Sequence, residues 1–329
     1  MKIMCIRPYE NWVVDRMSFE YMENSRHEVI DSYNKLSVLR SCDLIWMYGA
    51  TQLSNNPDDI AEITSILQSK IVVRTIHHII PWKFDEGLYT QFMNVDEYVD
   101  LYHTYTKETA DNISSLSKKP VKIIPHWFNH KKWYPLDRDE CREALNLKSN
   151  DFIIGSFQRD TEGSDLKTPK LEKGPDILVD ICKKFYNLKW NVKVLLGGFR
   201  REYVIKALSE VGIPYVYFEN ADQEKVNKMY NACNLYVISS RIEGGPQAIF
   251  EASATKTKII STNCGQATNI LDKECIVLLN NNDEQNRLLD INGLKEPSDK
   301  SIITNFENIK KYSIDNYIKL YDDFFEEIL

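Results

Sequence analysis

The feature that most constrains the fold is a regular alternation of short β-branched runs with longer amphipathic segments, which recurs in both halves of the chain. In the first half the strand-like runs are KIMCI (2–6), DLIWM (43–47), IVVRT (71–75), EYVDLY (97–102) and VKIIP (121–125). In the second half they are DFIIGSF (151–157), VKVLLGG (192–198), YVYF (215–218), NLYVIS (234–239), TKIIST (257–262) and ECIVLL (274–279). Apolar residues recur at helical spacing in the segments between them, such as 57–70, 107–116, 175–188, 201–212 and 223–233. This alternation predicts an α/β fold with parallel sheets covered by helices.

Two such series in a chain of 329 residues predict two α/β domains. We place the first at 1–145 and the second at 146–305, because the polar segment 133–151 separates the two strand series. The remaining segment, 306–329, ends in SIDNYIKLYDDFFEEIL, whose apolar residues fall at spacings of three and four. Such a stripe predicts a helix that docks on a domain rather than a free tail. Because ligands of parallel folds bind at the carboxyl ends of the strands, the expected site is a cleft between the domains.

Composition and charge indicate an ordinary globular protein. The chain is 43% hydrophobic and 27% charged, and its net charge of -7 argues against nucleic acid as a partner. A peripheral membrane contact through a local patch is still compatible with this charge. No signal peptide and no stretch of 18 apolar residues occur, so we expect no transmembrane segment. The seven cysteines are far apart and form no C-x-x-C, which is typical of a reduced cytoplasmic protein without a zinc site.

The stretch EGGPQAIFEASA (243–254) predicts a glycine-opened loop that leads into a helix. Pro246 suits the first helical position, since its missing N–H would have no partner there. Gly244 and Gly245 let a ligand approach the backbone, and the free N–H groups of a helix start attract a diphosphate. Neither G-x-G-x-x-G after the first strand nor G-x-x-x-x-G-K-[ST] occurs, which disfavours a nicotinamide enzyme and a P-loop ATPase.

A diphosphate also needs positive side chains. Arg159 and Lys173 follow the first strand of the second half and are suited to phosphate oxygens. Glu251 could accept hydrogen bonds from a ribose diol, and Glu243 from the hydroxyls of a sugar. Taken alone, a glutamate near a helix start is more often a solvated residue that the helix dipole favours.

The motif E-G-x-P-x(4)-E-A-x-A, between NLYVISSR and KIISTNCGQATNIL, resembles the signature of the retaining glycosyltransferases of family four, also called group one. FIIGSFQR…EKGPDIL resembles the family's strand–Arg…Lys-Gly–helix element, and QEKVNKMYNACNLYVISS its helix–strand approach to the motif. SIDNYIKLYDDFF resembles the tail helix that crosses back onto the first domain in this family. The resemblance spans roughly residues 121–329.

This resemblance implies the GT-B fold, with two Rossmann-like domains facing a central cleft and a nucleotide-diphosphate sugar, UDP- or GDP-linked, bound mainly by the second domain. It implies that Arg159 and Lys173 hold the diphosphate, Glu251 the ribose and Glu243 the transferred sugar, with no metal or other cofactor required. The acceptor would be a hydroxyl of a glycan or glycoconjugate. Further donor contacts are expected at Ser156, Gly198, Arg200, Asn220, Gly244, Gly245, Pro246 and Gln247.

Histidines that follow strands are the candidates in the first half. They are His77, His78, His103 and His126. The family commonly has a histidine near the transferred sugar, and either His77 or His78 could fill that place. The alternative is a loop histidine that is hydrogen-bonded to the backbone. We expect Asn11, Trp12 and His103 on the acceptor side, although Trp12 is also compatible with the core.

Other functions stay open at this point. The segment DTEGSDLKTPKLE (160–172) is longer and more acidic than its counterpart in the family, and it predicts either a flap over the donor or a solvated loop. The alternatives are a transferase that acts on modified DNA bases, which the net charge disfavours, and a catalytically silent sugar-nucleotide-binding subunit. A glycosidase would also use two carboxylates, but it leaves the basic pair and the helix start without a purpose.

Overall fold

The computed structural model describes residues 1–8, 13–31, 36–49, 57–188, 191–280, 285 and 288–329. They form two compact units, the first comprising Met1–Trp127 with Ile314–Leu329 and the second comprising Phe128–Ser313. Of the sequence candidates, Asn11 and Trp12 lie outside the described residues.

Within the described residues, the first unit contains a six-stranded parallel sheet in the order β2-β1-β3-β4-β5-β6. Its strands are β1 (Lys2–Ile6), β2 (Glu28–Ile30), β3 (Leu44–Tyr48), β4 (Ile71–Thr75), β5 (Leu101–Thr104) and β6 (Val121–Ile123). The helices between them are α1 (Val13–Asn24), α2 (Leu36–Ser41), α3 (Pro57–Leu67), α4 (Glu86–Asp96) and α5 (Lys107–Leu116), with a 3-10 turn at Pro81–Lys83.

Helices cover both faces of this sheet. Every residue of the central strand β3 is buried, as expected of a parallel strand packed on both sides. On one face Trp46 packs in a cluster with Tyr21 of α1. On the other, Ile45 packs with Ile63 of α3 and Phe92 of α4. The predicted α/β class with parallel sheets is confirmed for this unit.

The second unit, within the described residues, contains another six-stranded parallel sheet, in the order β11-β10-β7-β12-β13-β14. Its strands, including two small antiparallel pairs, are β7 (Phe152–Ser156), β8 (Thr161–Glu162), β9 (Thr168–Pro169), β10 (Val192–Gly197), β11 (Tyr215–Phe218), β12 (Leu235–Ile238), β13 (Lys258–Thr262), β14 (Ile276–Val277), β15 (Leu279–Asn280) and β16 (Leu288–Leu289). Its helices are α6 (Arg138–Ala144), α7 (Pro175–Asn187), α8 (Glu202–Glu210), α9 (Gln223–Ala232), α10 (Gln247–Ala254), α11 (Ala267–Ile270) and α12 (Asp299–Ile309). Turns of 3-10 helix lie at Leu171–Lys173, Lys273–Cys275 and Lys310–Tyr312.

The division between the units falls after Trp127, whereas the sequence placed it at residue 145. The reason is that α6 packs on the second unit. Arg142 donates from Nε to the carbonyl of Ala232, 3.0 Å away, and Leu145 joins a cluster with Ile153 of β7. A polar segment can therefore belong to the unit that follows it, which composition alone does not reveal.

The last helix, α13 (Ile314–Glu326), belongs to the first unit. Its apolar stripe is buried, and the ring of Phe325 lies 5.1 Å from that of Trp46. Asp322 is only 2% exposed and accepts hydrogen bonds from the hydroxyls of Tyr21 (2.8 Å) and Ser25 (2.6 Å) and from the Arg26 N–H (3.1 Å). These bonds offset the cost of removing the carboxylate from water.

The strand prediction differs from the structure mainly at EYVDLY, where only Leu101–Thr104 is a strand. The helix α4 precedes it, and Asp100 turns back so that its Oδ2 accepts from the Val72 N–H at 2.8 Å. The run ECIVLL likewise splits into a 3-10 turn and the short strands β14 and β15. Neither α4 nor the three-residue edge strand β2 was predicted.

We expect Asp322→Ala to lower the free energy of unfolding by about 3 kcal/mol or more, because three donors lose their charged acceptor. Asp323→Ala is the matched control. Its side chain is 59% exposed, and its ion pair with Arg26 should contribute about 1 kcal/mol at most. Chemical denaturation measures both variants, and equal, small effects would contradict the role assigned to Asp322.

Candidate functional site

The carboxyl ends of two adjacent strands, β7 and β12, bring Arg159, Lys173 and Glu243 together at one edge of the second sheet. Arg159 and Lys173 lie on the connection between β7 and α7, and Glu243 lies in the loop between β12 and α10. The strands are parallel, so these loops all emerge on the same side. The site therefore lies where parallel α/β sheets usually bind ligands.

Lys173 and Glu243 are in direct contact. The Nζ of Lys173 lies 2.5 Å from Oε1 of Glu243, and the side chains are 20% and 10% exposed. The hydroxyl of Ser240 donates to the same carboxylate oxygen at 2.9 Å. The structure thus joins two candidates that are 70 positions apart in the sequence.

The backbone beside Lys173 is fixed by the close approach of two chain segments. Gly174 has a left-handed conformation (φ 57°), and a Cβ there would lie 1.9 Å from the carbonyl oxygen of Ser239. Only glycine fits such an approach. The carbonyl of Lys173 accepts from Oγ of Ser239 (3.0 Å) and Nε2 of Gln158 (2.7 Å). Gln158 and Ser239 are site residues that the sequence did not single out, although both follow strand ends.

Arg159 is partly exposed, and its Nε donates to the carbonyl of Thr161 at 2.9 Å. Arg159 directly precedes the segment 160–172, which contains the small antiparallel hairpin of β8 and β9. Asp165 closes this hairpin by accepting from the N–H groups of Lys167 (3.0 Å) and Thr168 (3.2 Å). The predicted flap or loop is thus an ordered antiparallel turn next to Arg159.

Arg201 was not predicted, and it is fully buried beside this segment. Its Nη1 donates to the carbonyls of Ser156 (3.0 Å), Gly197 (3.2 Å) and Gln158, and its Nε lies 2.6 Å from Oδ2 of Asp160. Burial raises the pKa of Asp160 and lowers that of Arg201, while each charge opposes the other's shift. The predicted donor residue Ser156 accepts from Arg201 through its Oγ at 3.2 Å, so its side chain serves this network.

The other predicted donor residues of this edge follow β10 and β11. Arg200 has a left-handed conformation (φ 56°), and its Nη1 donates to the carbonyl of Gly163 in the hairpin at 2.8 Å. Gly198 (φ 88°) accepts at its carbonyl from the hydroxyl of Tyr217 at 2.9 Å. Asn220 is exposed in the turn after β11. Gly198 and Arg200 follow β10, the neighbour of the strand that leads to Arg159, whereas Asn220 follows β11, one strand further away.

The helix α10 begins at Gln247, one residue later than predicted, because Pro246 is extended (φ −65°, ψ 116°). Gly244 is buried, Gly245 is half-buried, and Gln247 is 7% exposed. Gly265, after β13, packs on this loop, where its Cβ would lie 3.0 Å from the carbonyl oxygen of Glu243.

Glu251 lies in the second turn of α10 and is 6% exposed. Its Oε2 accepts from the hydroxyl of Tyr230 on α9 at 2.8 Å. The carboxylates of Glu243 and Glu251 therefore lie before and after the start of the helix, as the motif predicted.

The histidine candidates lie in the first unit, and two of them follow β4. His77 and His78 are partly buried, and the ring of His77 lies 5.5 Å from Tyr48 and 5.3 Å from Tyr105. The ring of Tyr105 stacks on His126 at 3.5 Å. An aromatic cluster thus occupies the carboxyl edge of the first sheet.

His103 lies in the core of the first unit and is completely buried, although the sequence placed it on the acceptor side. Its Nδ1 lies 3.0 Å from Oγ1 of Thr75, which accepts from Nε1 of Trp46 at 2.8 Å. Since the carbonyl beside Nε2 can only accept, the ring carries its proton on Nε2, and Nδ1 accepts from the hydroxyl of Thr75. That Nε2 lies 3.1 Å from the carbonyl of Ile124. Both ring nitrogens are used by the core.

Within the described part of the chain, no group of three or more His, Cys, Asp or Glu side chains is arranged to hold a metal ion. A helix long and apolar enough to span a membrane is also absent from those residues. All seven cysteines are buried and form no disulfide.

Comparison with known proteins finds a family model that matches part of the chain. Residues 166–291 match the family model "Glycosyl transferases group 1", a segment that includes Lys173, Glu243 and Glu251. A probable sucrose-phosphate synthase of Thermosipho melanesiensis is 26% identical over 191 residues, which cover 54% of this chain and 37% of that protein. The match thus spans little more than a third of that relative.

Solved structures show the same fold. HepE of Anabaena, in complex with UDP and glucose, has a TM-score of 0.74 at 15% identity, covering 99% of this chain and 100% of that one. The sucrose-phosphate synthase of Thermosynechococcus elongatus has a TM-score of 0.70 at 15% identity, covering 100% and 99%. Both match over essentially the whole length of the two chains.

The buried histidines make stability depend on pH. Burial lowers the pKa of His103 from its ordinary 6.5 to about 4 and holds that of His126 well below its ordinary value. Between pH 6.5 and about 4, the His103 ring binds a proton in the unfolded chain but not in the folded chain. The free energy of unfolding therefore falls as the pH drops through this range. Each histidine contributes a slope of up to about 1.4 kcal/mol per pH unit.

We expect His103→Gln to reduce this slope, because the amide can accept from Thr75 and donate to Ile124 without titrating. Denaturant unfolding between pH 4 and 7 measures the dependence in the original chain and in the variant. Identical slopes in the original chain and in His103→Gln would show that His103 does not cause this pH dependence.

Proposed function

We propose that this chain, which carries a group 1 glycosyltransferase domain on a GT-B fold, transfers a sugar from a nucleoside-diphosphate sugar to a hydroxyl acceptor. The observation that carries the proposal is the contact of Lys173 with Glu243 at 2.5 Å in the loops that lead into α7 and α10. It joins a cation suited to phosphate with a carboxylate suited to sugar hydroxyls.

The donor class follows from the order of groups along this edge. A nucleoside-diphosphate sugar has an anionic centre between two polyols, the ribose and the sugar. Glu243 and Glu251 flank the start of α10, and the N-terminus of a helix favours an anion. We propose a UDP-sugar as the donor to test first, because HepE has been solved with UDP-glucose and with UDP and glucose.

Lys173 can serve the sugar and the phosphate together. An ammonium group has three donors, and the contact with Glu243 uses one of them. A phosphate oxygen can therefore bind Lys173 while Glu243 keeps its position. Arg159 supplies a second cation, as a planar fork that matches two phosphate oxygens.

In the proposed reaction the bond between the anomeric carbon and the phosphate oxygen breaks, and its electron pair goes to the departing diphosphate. Arg159, Lys173 and the N–H groups of α10 stabilise that developing negative charge. The acceptor oxygen forms its bond to the anomeric carbon on the same face, and its proton passes to the leaving phosphate oxygen. The configuration is then retained, and no protein nucleophile is needed.

For the acceptor we propose a hydroxyl of a glycan or glycoconjugate. One assay also distinguishes the two alternatives, a transferase that acts on DNA bases and a catalytically silent subunit. It measures nucleotide release from UDP-, GDP- and ADP-sugars with and without added glycans or DNA. Release that requires DNA would identify a DNA-modifying transferase. Binding without release, also in the presence of acceptors, would identify a silent subunit. Neither binding nor release with any donor would contradict the proposed function.

We expect Arg159→Ala to reduce kcat by on the order of a hundredfold to a thousandfold, because a positioned cation is lost from the leaving group. The melting temperature should change little, since the side chain is partly exposed. Arg138→Ala, at the exposed start of α6, is the matched control and should leave turnover unchanged. Equal turnover in the two variants would show that Arg159 does not contact the diphosphate.

A further inference from the structure

The hydroxyl of the buried Tyr230 contacts the carboxylate of Glu251, which is predicted to bind the ligand. It lies on α9 and is 1% exposed, and its hydroxyl donates to Oε2 of Glu251 at 2.8 Å. A carboxylate only accepts hydrogen bonds, so the direction of this bond is fixed. Burial, followed by the charge of Glu251, raises the pKa of Tyr230 far above its ordinary value, and the hydroxyl therefore keeps its proton.

A second buried tyrosine, Tyr236, packs against Tyr230. The rings of Tyr230 and Tyr236 pack together, with centroids 4.8 Å apart and planes tilted by 54°. The oxygen of Tyr236 in turn accepts from the N–H of Phe157 at 3.1 Å.

The tyrosine pair also contacts the segment that carries Arg159. Phe157 follows β7 directly, two residues before Arg159, and its ring lies 4.8 Å from that of Tyr230. Close packing fixes the tyrosines: a Cβ on Gly155 would lie 2.5 Å from Sγ of Cys233 and 3.1 Å from Tyr236. The backbone after β7 and the carboxylate of α10 are therefore connected through two packed tyrosine rings, each with a hydrogen-bonded hydroxyl.

We propose that Tyr230, backed by Tyr236, is a positioning residue that orients Glu251 towards the ribose and so makes the site selective for ribonucleotides over deoxyribonucleotides. This inference rests on the proposed function. Without the Tyr230 hydroxyl, the carboxylate is free to rotate away from the ribose diol or to take up water. Recognition of the ribose hydroxyls is then weakened, while contacts to the diphosphate and the base are unchanged.

The test is calorimetric titration of the full chain with UDP and with 2′,3′-dideoxy-UDP, and with the corresponding GDP and ADP pairs. The original protein should bind the ribonucleotide about tenfold to a hundredfold more tightly than its dideoxy counterpart, as expected for charge-assisted hydrogen bonds. In Tyr230→Phe, binding of the ribonucleotide should weaken about tenfold and binding of the dideoxy compound should not change. The selectivity ratio should therefore collapse.

Tyr21→Phe is the matched control. Tyr21 is also fully buried, and its hydroxyl donates to a carboxylate oxygen of Asp322 at the same distance, 2.8 Å, but in the first unit. The Tyr21→Phe protein should lose about as much stability as Tyr230→Phe and should keep the selectivity ratio of the original protein. A Tyr230→Phe protein that also keeps the ratio would overturn the inference.

Two further results separate this inference from the proposed function. If the original protein binds ribo- and dideoxynucleotides equally, Glu251 does not bind ribose and the inference fails, while the transferase proposal stands. If it binds no nucleoside diphosphate, both fail. Should Tyr230→Phe not fold, Tyr236→Phe is the second variant, because it removes the hydroxyl that accepts from the Phe157 N–H beside Tyr230. Its ratio of ribonucleotide to dideoxynucleotide affinity should narrow by a smaller factor. An unchanged ratio would overturn the inference.

Discussion

The approach of Gly174 to the end of β12 is the contact on which the candidate site depends. A side chain at Gly174 would overlap the carbonyl of Ser239, so the two segments meet only because this residue has no Cβ. That approach brings Lys173 within 2.5 Å of Glu243. It also lets Ser239 and Gln158 bind the carbonyl of Lys173, which fixes the backbone from which the lysine extends.

A second constraint acts on the other side of the site. Arg201 is buried with Asp160, and such a pair contributes little net stability because both charges lose their hydration. Its effect is instead to hold the carbonyls of Ser156, Gln158 and Gly197 in one place, which sets the path of the chain at Arg159. The buried polar groups of this unit therefore position the site residues more than they stabilise the fold.

Much of this arrangement could be predicted from the sequence. Strand–helix alternation gave the α/β class, and the chemistry of the motif drew attention to Lys173 and Glu243, which the structure joins. Residues that act through tertiary partners were missed. Arg201 looks like any surface arginine until β7 is beside it, and Tyr230 looks like a core residue until α10 packs against α9. His103 shows the opposite error, since a histidine at a strand end can be a buried core residue.

The most direct measurement is a crystal structure of the full chain with a bound nucleoside diphosphate, beginning with UDP. The diphosphate should contact Arg159, Lys173 and the N–H groups at the start of α10, with the ribose hydroxyls on Glu251. The tyrosine bond to Glu251 should persist in that complex. A nucleotide bound elsewhere, or one whose phosphates contact neither Arg159 nor Lys173, would contradict the account.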